Sequence, residues 1–436
     1  DMNFRKPGRY SAAQKPQILN KKEIDMNFRN PGRYSSAQKP QILNKKEIDM
    51  KRGAFLILSL AMTVLLFSPA AWGADEIKIG FNIPLTGDNP DVGGSSKNAA
   101  EMFLKNNPTI DVGGKAYTLK FIYEDNEYKP ESAVKINTKL ITEEGVLGIV
   151  GPQSSSQAVP AGEVANNMAT PMISPWSTNP NTTLDRPYVF RGCFLDPFQG
   201  PVAADFATEE LGAKKAAVIY DIAADYPKGL AENFKEAFEK LHGAGSVVAF
   251  ESFTTGDKDF SAQMTNIVMS EADVLFVPQY YSEVPLIIRS AKEMGWTKHI
   301  LGADAWGGGD LMGLCGDDCK GLYFSTHYAA AGAKGATKAF IDAYAAAYGK
   351  TPDDVAALTW DTIGLMVQAI KDTGGLSGDI KADRTKVKDA LAAVKNFPGI
   401  TGGMTFTPDG DPKKCAVIVQ INDDGQFAFH KSVCPK

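Results

Sequence analysis

The sequence predicts an α/β protein of two doubly wound lobes joined by three crossing strands. Three observations carry that expectation. From Ile77 onward, short apolar runs rich in β-branched and aromatic residues alternate with amphipathic stretches, which is the rhythm of βαβ units and parallel sheets. The rhythm stops near Arg191 and restarts at Ala216, so there are two series of similar length. The apolar runs lack strict apolar–polar alternation, as strands covered on both faces do.

In the first series, IKIGFNI (77–83), LKFIYED (119–125), VLGIVGP (146–152) and PMISP (171–175) read as strands. Helical patterns lie at Ala99–Asn106, Ser132–Thr142 and Gln157–Met168. In the second, AAVIYD (216–221), SVVAFESF (246–253), DVLFVPQY (273–280) and HILGAD (299–304) are strands, with helices at Gly229–Leu241 and Ser282–Met294. Helical patterns at 336–348, 353–371 and 384–394 then bring the chain back to lobe one, and a hairpin near 415–430 closes it. Crossings are expected near Arg191–Asp196, Gly321–His327 and Thr401–Thr407. Lobe one is then 74–192 and 325–402, and lobe two is 193–324 and 403–436.

The N-terminal part reads differently. Residues 1–48 are two near-identical 24-residue copies, polar and basic, which cannot bury a core. Lys-Lys-Glu can be encoded by a purine run containing AAGGAG, a ribosome-binding site, so 1–49 reads as a translated leader ahead of a start at Met50. Lys51 and Arg52 then precede the 14-residue apolar stretch Ala54–Phe67 and small residues at Ala71 and Gly73. That is the pattern of a secretory signal at 50–73, too short to span a bilayer comfortably. It implies export from the cytoplasm, which together with the resemblance given below implies the periplasm.

Subtracting the 13 basic and 5 acidic residues of 1–73 from the whole-chain 46 and 51 leaves 33 basic and 46 acidic, a net charge of −13. An acidic body disfavours nucleic acid or anionic membrane as partner. Outside the cytoplasm the five cysteines read first as disulfides. Cys415 and Cys434 flank the hairpin pattern and sit nearly opposite across it, and Cys315 and Cys319 bracket the tight loop Gly-Asp-Asp. Cys193 is left as a buried thiol. No Cys or His cluster has zinc-like spacing, so no metal or other cofactor is implied.

In open α/β sheets, ligands bind beyond the carboxyl ends of strands, near helix starts. After 146–152 come Gln153, Ser154, Ser155 and Ser156. After 171–175 come Trp176, Ser177 and Thr178. Hydroxyls beside free backbone N–H groups suit a carboxylate, and they equally suit simple N-capping. The second series ends its strands on Tyr226, on Tyr280 and Tyr281, and on Asp304. A carboxylate among aromatic rings suits an ammonium group. Core packing of the tyrosines and capping by Asp304 are the alternatives.

The segments GPQSSSQ, MISPWSTNP, FRGCFLDPFQG, ADYPKGL, SFTTGDKDFSAQM, PQYYSE and LGADAW, in this order, resemble the leucine-isoleucine-valine binding protein family. The resemblance runs from about Ile77 to Phe429. It implies the type I periplasmic-binding-protein fold and a free amino acid, branched-chain or otherwise hydrophobic, as ligand. It also implies permease subunits of an ABC transporter in the inner membrane as partners, and a monomer. By the same resemblance, Ser154 and Thr178 bind the ligand carboxylate, Ser177 lends backbone groups, and Asp304 binds the ammonium. Tyr226 and Tyr280 then line lobe two. Trp176 stands where relatives often have a small residue, and Asp304 is one methylene shorter than the family's usual glutamate.

Other classes compete. No Walker A, G-x-S-x-G or H-E-x-x-H motif is present, so an enzyme is disfavoured. A ligand-sensing receptor domain, or a binder of an amide, urea or aromatic acid, would use the same fold.

Overall fold

A computed structural model describes residues 75–435. The leader at 1–49 and the signal at 50–73 lie outside the described residues.

The first sheet begins with β1 (Glu76–Ile83), which leads through α1 (Pro90–Asn106) to β2 (Thr109–Val112) and β3 (Lys115–Asp125). Then follow α2 (Pro130–Thr142), β4 (Gly148–Val150), α3 (Ser155–Asn167), β5 (Met172–Ser174) and β6 (Val189–Arg191). The strand order is β2-β3-β1-β4-β5-β6, parallel apart from β2. Strands β4, β5 and β6 are buried along their whole length, which is why their sequences show no alternation. Gly151 ends β4 at φ +98°, where a Cβ would lie 2.2 Å from the Asn82 carbonyl oxygen. Only glycine makes that turn, and the turn aims Gln153–Ser155 past the sheet edge.

After 192–195, α4 (Asp196–Glu209) opens the second series. It continues through β7 (Ala216–Asp221), α5 (Asp225–His242), β8 (Val247–Phe253), α6 (Ser261–Met269), β9 (Val274–Val277), α7 (Val284–Glu293) and β10 (His299–Gly302). A 3₁₀ turn (Asp304–Gly307), α8 (Leu311–Cys315) and β11 (Tyr323–Thr326) follow. Helix α4 went unseen in the sequence because it is buried on most sides and packs against α5, so it shows no apolar stripe. Strand β11 belongs to the second sheet, so the second crossing follows it at His327.

The chain then returns to the first lobe as α9 (Gly335–Tyr348), α10 (Asp354–Asp372) and α11 (Ile380–Ala392). Ile363, Met366 and Val387 of these helices share one apolar cluster with Ile79 and Phe81 of β1. Asp353 caps α10, accepting from the Ala356 amide at 2.8 Å. A small hairpin, β12 (Phe397–Gly399) and β13 (Gly402–Met404), leads to the third crossing. Finally β14 (Ala416–Ile421) and β15 (Phe427–Val433) complete the second sheet, in the order β15-β14-β11-β10-β9-β7-β8. Lys414, buried in the third crossing, donates to the Gly192 carbonyl of the first at 3.0 Å and stitches the two together.

The structure pairs Cys315 with Cys319 and Cys415 with Cys434, and leaves Cys193 free and buried. Burial pushes the Cys193 thiol up to about 12, which keeps it unreactive. Loop-closure entropy grows with the span bridged, 19 residues against 4. The expected contributions are about 3 and about 2 kcal/mol. Replacing Cys415 and Cys434 by serine should therefore lower the urea-unfolding free energy more than replacing Cys315 and Cys319. Equal costs would mean that contacts around the bridges, and not chain entropy, set their worth.

Candidate functional site

The loops after β4 and β5 meet α5 and the loops after β9 and β10 between the lobes. The lobes are closed on each other. The Asp225 amide of lobe two donates to Ser156 Oγ at 2.9 Å, and Asn179 Nδ2 of lobe one donates to the Asp225 carbonyl at 3.1 Å. Tyr281 Oη donates to Asp91 at 3.3 Å, and the Gly309 amide donates to Asp353 at 3.0 Å.

On the lobe-one side, Ser154 occupies the N-cap position of α3, yet its side chain does not cap the helix. Its hydroxyl donates instead to Tyr128 Oη at 3.1 Å. The start of α3 thus keeps free N–H groups, the partial positive charge that attracts an anion. Ser155 and Ser177 are struts: Ser177 Oγ donates to Ser155 Oγ at 3.0 Å and pairs with Thr182 Oγ1 at 2.6 Å. The Ser177 backbone is also committed. Its amide donates to Ser174 Oγ at 3.2 Å, and its carbonyl accepts from Arg191 at 2.6 Å. Ser177 therefore ties the loop to Ser174, Ser155 and Arg191. Thr178 is fully buried, and its Oγ1 has no hydrogen-bond partner; neither has the Trp176 indole Nε1.

On the lobe-two side, Asp304 opens the 3₁₀ turn without capping it. Its Oδ1 accepts from Tyr226 Oη at 2.7 Å and from Gln199 Nε2 at 2.8 Å. Its Oδ2 lies 3.3 Å from His327 Nε2. The His327 ring stacks on Phe194 at 3.9 Å. Burial pulls His327 down to about 4, against the attraction of Asp304, so the imidazole is neutral at pH 7. Tyr280 joins the two sides, its ring 5.2 Å from Tyr226, 5.9 Å from Tyr128 and 6.1 Å from Trp176.

The sequence-derived residues Ser154, Trp176, Thr178, Tyr226, Tyr280 and Asp304 thus gather at one place, and Ser177 lies behind them. Tyr128, Asp196, Gln199 and His327 were missed. Tyr128 had a signal, since it follows β3 as Ser154 follows β4. Asp196 and Gln199 lay in the quoted segment FRGCFLDPFQG but were not singled out, and His327 had no signal, because the roles of all three depend on partners far away in the chain.

Asp196 is fully buried and neither of its oxygens has a hydrogen-bond partner. Burial pushes its carboxyl up to about 8, the nearby Thr178 hydroxyl opposing and the Asp304 charge adding to the rise. The folded protein therefore keeps a proton that the unfolded chain releases near 3.8. Stability from this group falls as pH rises between those values and levels off above the upper one. His327 acts in the opposite sense, only below its ordinary 6.5. Between about pH 6.5 and 8, Asp196 should cost about 1.4 kcal/mol per pH unit. Urea unfolding across that range should show a slope in the wild type that Asp196→Asn makes shallower by about that amount, the remainder coming from Asp354, whose carboxyl is also raised well above 3.8 by burial. Identical profiles would mean that Asp196 is already ionised at neutral pH.

Among the described residues, no helix is long and apolar enough to cross a membrane. A family model described as periplasmic binding protein matches residues 76–426. The leucine-, isoleucine-, valine-, threonine-, and alanine-binding protein of Pseudomonas aeruginosa is 30% identical over 361 residues, covering 82% of this chain and 92% of that protein. Among solved structures, a leucine binding protein from Thermotoga maritima is 31% identical with a TM-score of 0.76, covering 82% of this chain and 99% of its own. A branched-chain amino acid transporter substrate binding protein from Streptococcus pneumoniae, in complex with isoleucine, is 31% identical with a TM-score of 0.74, covering 83% and 100%.

Proposed function

Since the chain belongs to the periplasmic binding protein family, we propose that it captures a free amino acid between its lobes and delivers it to an ABC transporter. In this reading it is a periplasmic, monomeric receptor. It is not an enzyme, and the permease subunits in the inner membrane recognise its closed form. The relatives named for binding Leu, Ile, Val, Thr and Ala support the ligand class, and the secretory pattern at 50–73 supports the compartment.

One observation carries the reading: the two sides of the cleft have opposite polarity. Lobe one offers the free start of α3, Ser154, and a Thr178 hydroxyl without a partner. Lobe two offers the Asp304 carboxylate, steadied by Tyr226 and Gln199. Unpartnered buried polar atoms are rare in proteins and mark a place where another polar group belongs. A zwitterion fits both poles at once, with its carboxylate on Ser154 and Thr178 and its ammonium on Asp304, Tyr226 and Tyr280. Neither lobe alone satisfies both charges, so the ligand favours the closed form by differential contact.

A thermal-shift screen against the twenty amino acids tests this. A ligand at 100 times its Kd adds about 2.7 kcal/mol of stability. Stabilisation by no amino acid would sink the reading, whereas stabilisation only by an aromatic acid, amide or urea would move it to another ligand class.

A further inference from the structure

Trp176 immediately precedes Ser177 and Thr178, and its ring lies 6.1 Å from that of Tyr280, which joins the two sides of the site. The indole cannot swing away with its loop. The backbone of Ser177 is held by Ser174 Oγ at 3.2 Å and by Arg191 at 2.6 Å. The indole is buried and reaches across the cleft until it meets Gly308 of lobe two. A Cβ on Gly308 would stand 2.7 Å from Trp176 Cη2, 2.9 Å from Cζ2 and 3.5 Å from Val355 Cγ2. The ring thus fills the space between the lobe-two glycine turn and the apolar residues Val92 and Val355 of lobe one, with which it forms one cluster. On the other flank, Tyr280 is in ring contact with Tyr128 and Tyr226, at 5.9 and 5.2 Å. Such spacings are those of aromatic rings in contact.

We infer that Trp176 sets the size limit of the ligand, so that the receptor takes compact amino acids of the glycine, alanine and serine class and disfavours branched-chain ones. The indole, packed against Gly308 and Tyr280 and clustered with Val92 and Val355, takes up apolar space beside the proposed poles that a branched side chain would otherwise use. Burying that side chain would require displacing a ring already packed against both lobes, and overfilling a packed site is destabilising. This inference rests on the amino-acid reading and narrows it.

Calorimetric titration with glycine, L-alanine, L-serine, L-leucine and L-isoleucine tests it, on the wild type and on Trp176→Ala. The wild type should bind the best compact amino acid at least about 10-fold more tightly than leucine. The variant should shift that ratio toward leucine by a similar factor, because that space is open. Leucine or isoleucine binding the wild type as tightly as the compact ligands would overturn the inference while leaving the amino-acid reading intact. A variant with an unchanged ratio would remove Trp176 as the cause. Binding of none of the five, with only an amino acid as large as leucine or larger found in the wider screen, would overturn the size limit alone. Binding of no amino acid at all would overturn the parent reading. Should the variant fail to fold, the wild-type ratio decides by itself.

Discussion

Asp304→Ala is expected to weaken binding of the cognate amino acid by about 30-fold to several-thousand-fold, roughly 2–5 kcal/mol. The carboxylate is 1% exposed and is the acceptor that gathers Tyr226, Gln199 and His327. Its removal leaves the ligand ammonium desolvated without a counter-charge. It also leaves three protein groups short of a partner, so stability should fall as well. Asp304→Asn separates the two effects, since it keeps the shape and acceptor oxygen while deleting the charge. Calorimetry should show both variants losing affinity, with only the alanine variant losing substantial stability. Undiminished affinity in both would make Asp304 a structural hub and place the ammonium elsewhere, with Asp196 as the next candidate.

Arg191→Met is expected to cost about 3–5 kcal/mol of folding stability, the range for breaking a buried ion pair from one side. Arg191 has no exposed surface and bonds Asp411 at 2.5 Å, the Ser177 carbonyl at 2.6 Å and Thr183 Oγ1 at 2.7 Å. It fixes the loop that carries Trp176 and Thr178, and through Asp411 it ties the first crossing to the third. The substitution removes the charged donor of Asp411 and of the Ser177 carbonyl, leaving them Thr183 Oγ1 at 2.8 Å and the weak donor Cys193 Sγ at 3.2 Å. Urea unfolding measures the cost, and the double variant with Asp411→Asn should lose less than the sum of the single losses. A loss under about 1 kcal/mol would mean that the serine and threonine struts hold the loop without the guanidinium.

The site was legible to unequal degrees. Asp304, Tyr226 and Tyr280 stand at the ends of recognisable strands or the start of the following helix, so the rule for open α/β sheets reached them. The same rule reached Ser154, but a helix cap and a ligand group share one sequence signature. Only the bond to Tyr128 shows that this hydroxyl turns away from its own helix. Ser177 was legible as a member of the loop and illegible as a strut, because its neighbours Ser155 and Arg191 come from other segments.

By itself the sequence determined the two α/β series, the strand-end positions of the polar loops, and the pairing expected of Cys415 with Cys434. Those features follow from local chemistry: hydrophobic periodicity, turn residues and spacing along one element. The tertiary structure alone decided which hydroxyls are struts and which is left without a partner. It also brought Gln199 to Asp304 across 105 residues and Arg191 to Asp411 across 220, and it laid the Trp176 indole against Gly308. Partner choice over such separations is set by how the sheets and crossings stack, and the space left for a ligand is what remains after every side chain is packed. Neither quantity is written in any window of sequence short enough to carry a periodicity.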